Sequence, residues 1–378
     1  MVKKQQIAIL YENLLNWMGG TLYVINLVSS FSFLDEKDKP IVNLYCSSKK
    51  DFLYFKKVSN YPYLKYHKIH REVWLRGLNK LIRIFIPSHL SFGGIDISKT
   101  DNILIFPVRS RNLMSNDAKV LGWIPDFQEL HYPMFFSKSE LKSRDLEHKE
   151  FFSRKIPMVY SSNDALSDVI KFYPEYNTKK YILHFAVSLP DFSNIDHNEL
   201  RIKYGINKRY FFCANQFWPH KNHLFLFKVF KNLIDKGADY ELVCSGKLSN
   251  DDTYSSELMQ FIYDNKLQEK IKILGLIDRK EQLNLMDHSY AIIQPSLFEG
   301  WSSVVEDAKA LNKFIFLSKI NVHLEQNPKN VCFFNPCDAK DLQYKLENTI
   351  PTSYAYDYKN NQLKFANDFI KIVNDFGN

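Results

Sequence analysis

The sequence lacks the glycine fingerprints of the best-known phosphate-binding loops. Neither G-x-G-x-x-G nor G-x-x-x-x-G-K-[ST] occurs in its 378 residues, which argues against a dinucleotide oxidoreductase and a P-loop phosphotransferase. It also lacks any apolar run approaching the ~18 residues of a membrane-spanning helix. In the first twenty residues, "MVKKQQIAILYENLLNWMGG", Glu12 and Asn13 interrupt the apolar stretch before a secretory core could form. A cytoplasmic protein is expected. Cysteine is scarce: Cys46, Cys213, Cys244, Cys332 and Cys337 are scattered and odd in number, unlike a disulfide framework. No second pair or histidine cluster joins Cys332 and Cys337 to complete a zinc pattern, so the thiols are expected to be structural.

What is present is material for two cores. A chain of this length exceeds the size at which one core keeps growing, and 45% of its residues are hydrophobic and 15% aromatic. Charged residues, at 24%, suggest neither disorder nor a coiled coil. The net charge of +8 is concentrated: between Lys49 and Leu90 ten lysines and arginines face only Asp51 and Glu72, which accounts for all of it. Within that region "REVWLRGLNKLIRIFIP" reads as an amphipathic helix, with Trp74, Leu78, Leu81, Ile82 and Phe85 on one face and Glu72, Arg76, Asn79, Lys80 and Arg83 on the other. Such a helix either covers a core with a solvated outer face or docks, through residues 65–87, on an anionic membrane surface. No recognition motif accompanies the charge, so nucleic acid is not an expected partner.

Short apolar runs alternate with helical patterns, the signature of parallel sheets and the α/β class. "QIAILYE", "IVNLYC", "NILIFP", "VLGWIP", "MVYSS" and "YILHFAV" form a first series of strands. A polar stretch follows, and then "RYFFCAN", "YELVCSG", "IKILGLI", "YAIIQPS", "KFIFLSK" and "VCFFN" form a second. The expected organisation is two doubly wound, Rossmann-like domains, 1–187 and 205–350, joined by a linker over 188–204. A last helix follows in 351–378, read from "YAYDYKNNQLKFANDFIKIV". In such sheets ligands bind beyond the carboxyl ends of the strands, and a cleft between two domains is a natural site.

Three segments stand at those strand ends. In "WMGG", Gly19 and Gly20 either let backbone amides approach a ligand at a helix N-terminus or simply make a tight turn. "NQFWPHKNH" places Asn215, Gln216, His220, Lys221, Asn222 and His223 after the first strand of the second series. There Lys221 can meet a diphosphate as a point charge, while the two histidines could equally be capping residues. In "PSLFEGWSSVVEDAKAL", Ser302 or Ser303 can cap a helix whose free amides suit phosphate or sugar oxygens. Glu299 and Asp307 bracket that helix start and could accept bonds from hydroxyls, though acids there also offset a helix dipole.

The last of these stretches, with "NQFWPHKNH", "LVCSGKLS" and "LGLIDRKEQLNLM", resembles the retaining family-four glycosyltransferases of the GT-B fold, which use nucleotide-activated sugars, often to build bacterial surface polysaccharides. The likeness covers 205–345, and "WMGG" and "VLGWIPDFQELHYPMFFS" resemble the same family's glycine loop and cleft segment. It implies that the paired-acid motif E-x7-E starts at Glu299 and ends at Asp307, a shorter acid than usual, with Glu306 as its neighbour. Glu299 would face the donor sugar, amides of Gly300, Trp301, Ser302 and Ser303 would hold sugar or phosphate oxygens, Asp307 would bind ribose hydroxyls and Ile277 would meet the base. Lys221 matches the diphosphate lysine, but its usual partner arginine is replaced in the neighbourhood by Gln216 or His220. In "WIPDF" Pro125 stands where many relatives carry histidine, which leaves Asp126 and His131 as candidates for acceptor binding or proton transfer. The implied reaction is transfer with retention to a glycan or lipid-linked acceptor, with no cofactor and with Lys221 and helix amides in place of a metal. A nucleotide-sugar epimerase of the same architecture, or a non-catalytic subunit that keeps the donor socket, are the alternatives.

Overall fold

A computed structural model describes residues 4–11, 18–69, 104–108, 119–248 and 253–377. The chain divides into two compact units, one formed by Met1–Ser188 with Lys359–Asn378 and the other by Leu189–Tyr358. The basic segment 71–87, including Arg76, Lys80 and Arg83, lies outside the described residues.

The first unit is built on seven parallel strands: β1 (Gln6–Tyr11), β2 (Ile41–Cys46), β3 (Leu64–Lys68), β4 (Ile105–Val108), β5 (Val120–Ile124), β6 (Met158–Tyr160) and β7 (Lys180–Ile182). Their order is β3-β2-β1-β4-β5-β6-β7. Ile7, Ala8, Ile9 and Leu10 of β1 are all buried, because helices cover both faces of a parallel sheet and its strands read as unbroken apolar runs. Gly19 and Gly20 sit in the first turn of the helix Met18–Ser30 that follows β1, Gly19 exposed and Gly20 buried.

The second unit repeats the plan with β8 (Tyr210–Ala214), β9 (Glu241–Ser245), β10 (Ile271–Ile273), β11 (Ala291–Gln294), β12 (Ile315–Ser318) and β13 (Val331–Phe334), all parallel, in the order β10-β9-β8-β11-β12-β13. Alternate residues of these strands feed two cores. Phe211, Cys213, Ile293 and Phe316 pack with Leu226, Phe230 and Leu233; Phe212, Val243, Ile292 and Leu317 pack with Leu283, Met286, Val305 and Ala308. That is the period of two that a strand imposes on its side chains. Each fully buried Phe or Leu stabilises by roughly 1.5–3 kcal/mol relative to exposure.

Residues 188–204, expected as a linker, are part of this second unit from Leu189 onward. Leu189, Phe192 and Ile195 pack against its core, and the helix His197–Tyr204 buries Leu200 there. The C-terminal helix also differs from expectation, since it begins at Lys359 and not near residue 354. The preceding residues stay outside the helix because side chains claim their backbone: Asn330 Oδ1 accepts from Tyr354 N at 2.8 Å and Asn312 Oδ1 from Tyr356 N at 2.9 Å. Those amides are thereby held by partners outside the helix. The helix Lys359–Gly377 packs on the first unit, with Phe369 5.2 Å from Phe106 and 5.9 Å from Phe31 between ring centres. No disulfide forms; Cys46, Cys213 and Cys244 are buried, Cys332 is partly so and Cys337 is exposed. Among the described residues no helix is long and apolar enough to cross a membrane.

Candidate active site

Strand order in the second sheet reverses between β8 and β11, so the chain leaves these two adjacent strands toward opposite faces. A crevice opens at such a reversal beyond the strands' carboxyl ends. The loop after β8 carries His220, Lys221 and Asn222; the loop after β11 carries Ser296, Glu299 and Ser302. Segments almost eighty positions apart are thus neighbours. Leu297 N donates to the His220 carbonyl at 2.8 Å, tying loop to loop. Asn222, in the left-handed region at φ 62°, donates its side-chain amide to the carbonyls of Pro295 (3.2 Å) and Pro336 (3.0 Å). Asn222 therefore brackets the loops with the groups that the resemblance assigned to a ligand.

Lys221 Nζ lies 2.6 Å from Glu299 Oε1, with the two side chains only 13% and 8% exposed. Burial by itself would raise the Glu299 carboxyl, but the Lys221 charge, with His323 and His220, outweighs it and holds the group at about 2. Burial followed by repulsion from Lys221 pushes His220 down to about 3. Burial likewise lowers His323 to about 4, against the attraction of Glu299. Both imidazoles are therefore neutral at neutral pH, and Lys221 alone supplies positive charge to Glu299 there. His323 Nδ1 is 2.9 Å from the Ser318 carbonyl, and Ser318 Oγ donates to the Ser296 carbonyl at 2.6 Å, so β12 and the helix Asn321–Gln326 support the loop from below.

The helix Ser303–Ala310 starts with Ser302 as its cap, whose Oγ accepts from Val305 N at 3.4 Å. Gln326 grips the cap residue from the other side: its Oε1 accepts from Ser302 N at 3.1 Å and its Nε2 donates to the Ser302 carbonyl at 2.9 Å. The Ser302 amide, one of four expected to meet sugar or phosphate oxygens, already has a partner. Gly300 is buried, and Trp301 and Ser303 are partly exposed at this helix start. Glu306 and Asp307 part company here. Glu306, fully buried, accepts from Lys309 Nζ (2.9 Å), Gln326 Nε2 (3.0 Å) and the Tyr358 hydroxyl (2.7 Å), which marks it as a structural acid. Asp307 is buried and paired with Arg279, whose other nitrogen donates to Gln282 Oε1 at 2.9 Å. Burial raises the Asp307 carboxyl although Arg279 opposes it. Ile277, two residues before Arg279, is partly buried against the core.

Gln216 is partly exposed at the end of β8. His223, on the next turn, is fully buried and stacks 4.4 Å from Phe217, a core position. Asp126 and His131 belong to the first unit. Asp126 Oδ1 accepts from Gln128 N at 3.2 Å, and His131 Nε2 is 2.8 Å from Asp168 Oδ2. Burial raises the Asp168 carboxyl, with His131 opposing. Sequence reasoning missed Gln294, Ser296, His323 and Arg279. A polar Gln294 at the end of an otherwise apolar strand was a readable signal; the pairing of Arg279 with Asp307, 28 residues apart, was not. Among the described residues no three His, Cys, Asp or Glu side chains group to hold a metal ion.

The family model described as "Glycosyl transferases group 1" matches residues 196–360, the segment that holds all of this second-unit geometry. The O-antigen chain mannosyltransferase RfbU of Salmonella typhimurium is 24% identical over 260 residues, which cover 68% of this chain and 66% of that protein; the match thus spans just under two thirds of the relative's length. A glycosyltransferase from Rickettsia africae superposes over 99% of this chain and 98% of its own, with a TM-score of 0.65 at 15% identity. Anabaena HepE, in a complex with UDP and glucose, covers 98% of this chain and 100% of its own, with a TM-score of 0.64 at 14% identity. At these identities the structural likeness carries the fold: two Rossmann-like units of the GT-B class.

Proposed function

We propose that the protein is a retaining glycosyltransferase that moves a sugar from a nucleotide-sugar donor to a glycan or lipid-linked acceptor in surface-polysaccharide synthesis. One observation carries the reading: within the segment that the group 1 family model matches, a nearly buried Lys221–Glu299 ion pair stands where the strand order reverses. In transfer, the bond from the anomeric carbon to the phosphate oxygen breaks, its electron pair leaves on the nucleoside diphosphate, and the acceptor oxygen bonds the same carbon. The acceptor's proton passes to the departing phosphate. Lys221 has three N–H donors and Glu299 takes one, which leaves two for diphosphate oxygens as their charge grows. This division of labour is the basis for reading the reaction as independent of a metal. Glu299 accepts from the sugar hydroxyls, and Asp126 and His131 are the first-unit candidates on the acceptor side.

The likeness to RfbU makes a mannosyl donor the first to try, and the HepE complex makes UDP-glucose the second. Release of nucleoside diphosphate from GDP-mannose and UDP-glucose should be stimulated by an extract of bacterial lipid-linked glycans and abolished in Glu299→Gln, with product stereochemistry read by NMR. A donor epimerised without acceptor, or a Glu299→Gln variant with wild-type release, would refute the reading. A cytoplasmic enzyme working at the inner membrane face is part of the same proposal, because residues 65–87 are strongly basic. Arg76, Lys80 and Arg83 changed together to Glu should then reduce co-sedimentation with anionic vesicles, and unchanged sedimentation would remove that part.

A further inference from the structure

We infer that Gln294, held by Asn215, is the positioning residue that fixes the orientation of Glu299 toward the donor sugar in the transfer step. The inference rests on the reading of Glu299 as the sugar-facing acid and goes beyond it to what aims that acid.

Glu299 Oε1 collects three donors: Lys221 Nζ at 2.6 Å, Ser296 Oγ at 2.7 Å and Gln294 Nε2 at 2.9 Å. None of the three bonds Oε2. One oxygen is thus anchored, and the other is the acceptor these groups leave for a ligand. Two of the three anchors are themselves adaptable, since a lysine ammonium rides on a flexible stem and a serine hydroxyl rotates freely. Gln294 differs. It is fully buried on the last residue of β11, and its amide is locked in a reciprocal pair with Asn215: Asn215 Nδ2 donates to Gln294 Oε1 at 2.8 Å and Gln294 Nε2 donates back to Asn215 Oδ1 at 3.2 Å. A carboxylate only accepts, so the nitrogen must face Glu299, and the Asn215 pair agrees with that choice. Asn215 is approached closely in turn by Gly246, the residue after β9, where a Cβ would fall 2.0 Å from the Asn215 carbonyl oxygen. A polar pair of this kind, buried at the boundary of two strands, costs stability unless satisfied. Here each amide is satisfied; Gln294 Nε2 also lies 3.1 Å from Ser296 Oγ and 3.4 Å from Ser302 Oγ, and its shortest contact is the one to the acid.

The test uses the full chain in three variants. Gln294→Met keeps the length and removes the donor; Gln294→Glu keeps the shape and makes the donor conditional on a proton; Glu299→Ala tests the underlying reading. The groups facing Glu299 are Lys221 and His220 from the loop after β8 and His323 from the helix after β12. In Gln294→Glu, two carboxyls share the single Lys221 charge, so one of them keeps its proton to higher pH. The protonated form can donate to Oε1, and its ionisation sets two like charges together. Nucleoside diphosphate release from GDP-mannose or UDP-glucose should therefore fall roughly 100-fold in kcat for Gln294→Met at every pH, with donor KM within about threefold. For Gln294→Glu it should recover toward wild type in acid and be lost as pH rises. A crystal structure of Gln294→Met should show Glu299 in a new rotamer, off Lys221. If Glu299→Ala is inactive while Gln294→Met keeps wild-type kcat, or if the two Gln294 variants share one pH profile, the positioning role is overturned. If Glu299→Ala retains activity, the reading of the site fails instead. A Gln294→Met crystal structure with Glu299 unmoved overturns the proposal whatever the turnover.

Discussion

Removing the Lys221 charge should invert how the second unit responds to acid. In the wild type Glu299 titrates at about 2 against an ordinary 4.5. Its folded pKa is depressed, so its stabilisation is fully present above pH 4.5 and is lost as pH falls toward 2. A shift of that size is worth about 3 kcal/mol. Lys221→Met preserves most of the side-chain volume but leaves a carboxylate whose largest influence is burial, which raises it. The same acid then contributes stability only below pH 4.5 and loses it as pH rises. At neutral pH the variant has an unpaired buried charge, which costs about 3–5 kcal/mol, or roughly 10 °C in melting temperature for a unit of this size. Differential scanning calorimetry of both proteins from pH 7 to pH 3 should show that gap shrinking by at least about 2 kcal/mol as Glu299 becomes protonated in the unfolded chain. A gap that stays constant over the range would refute the ion-pair account of Glu299.

Two further outcomes follow from the same logic of burial. Arg279→Ala should cost about 3 kcal/mol at neutral pH by stranding Asp307, and Asp307→Asn in that background should restore part of the loss; strictly additive effects in urea unfolding would mean the two groups do not act as a pair. Phe369→Ala should cost about 3–5 kcal/mol and loosen the C-terminal helix from the first unit, where the ring meets Phe31 and Phe106; a near-wild-type denaturation midpoint with intact amide protection in Lys359–Gly377 would contradict that docking.

Much of the architecture was legible before any coordinates. Parallel strands buried on both faces must be written as apolar runs, so "QIAILY", "YFFCA" and "AIIQ" could be read directly as the central strands. Local pattern misled at the C-terminal segment. "YAYDY" looks continuous with the helix after it, but the side-chain oxygens of Asn312 and Asn330, far back in the chain, accept from its amides. It also misled at 188–204, whose polar surface conceals Leu189, Phe192, Ile195 and Leu200.

For the site, the residue types and their loops were in the sequence, because a strand end followed directly by Pro-Ser, or a few residues on by Pro-His-Lys-Asn, announces a turn whatever the rest of the chain does. Which of those groups work on a ligand and which hold the loops was decided only by the fold. Glu306 and Asp307 are adjacent in sequence, yet one helix step turns them about 100° apart, so one meets Lys309, Gln326 and Tyr358 and the other meets Arg279. Lys221 and Glu299 come together because β8 and β11 are neighbours at the reversal of strand order, and sequence distance carries no trace of that pairing. Hydrophobic period is a local property that burial writes into every strand; partnership between charges is a property of topology, settled when the sheet closes.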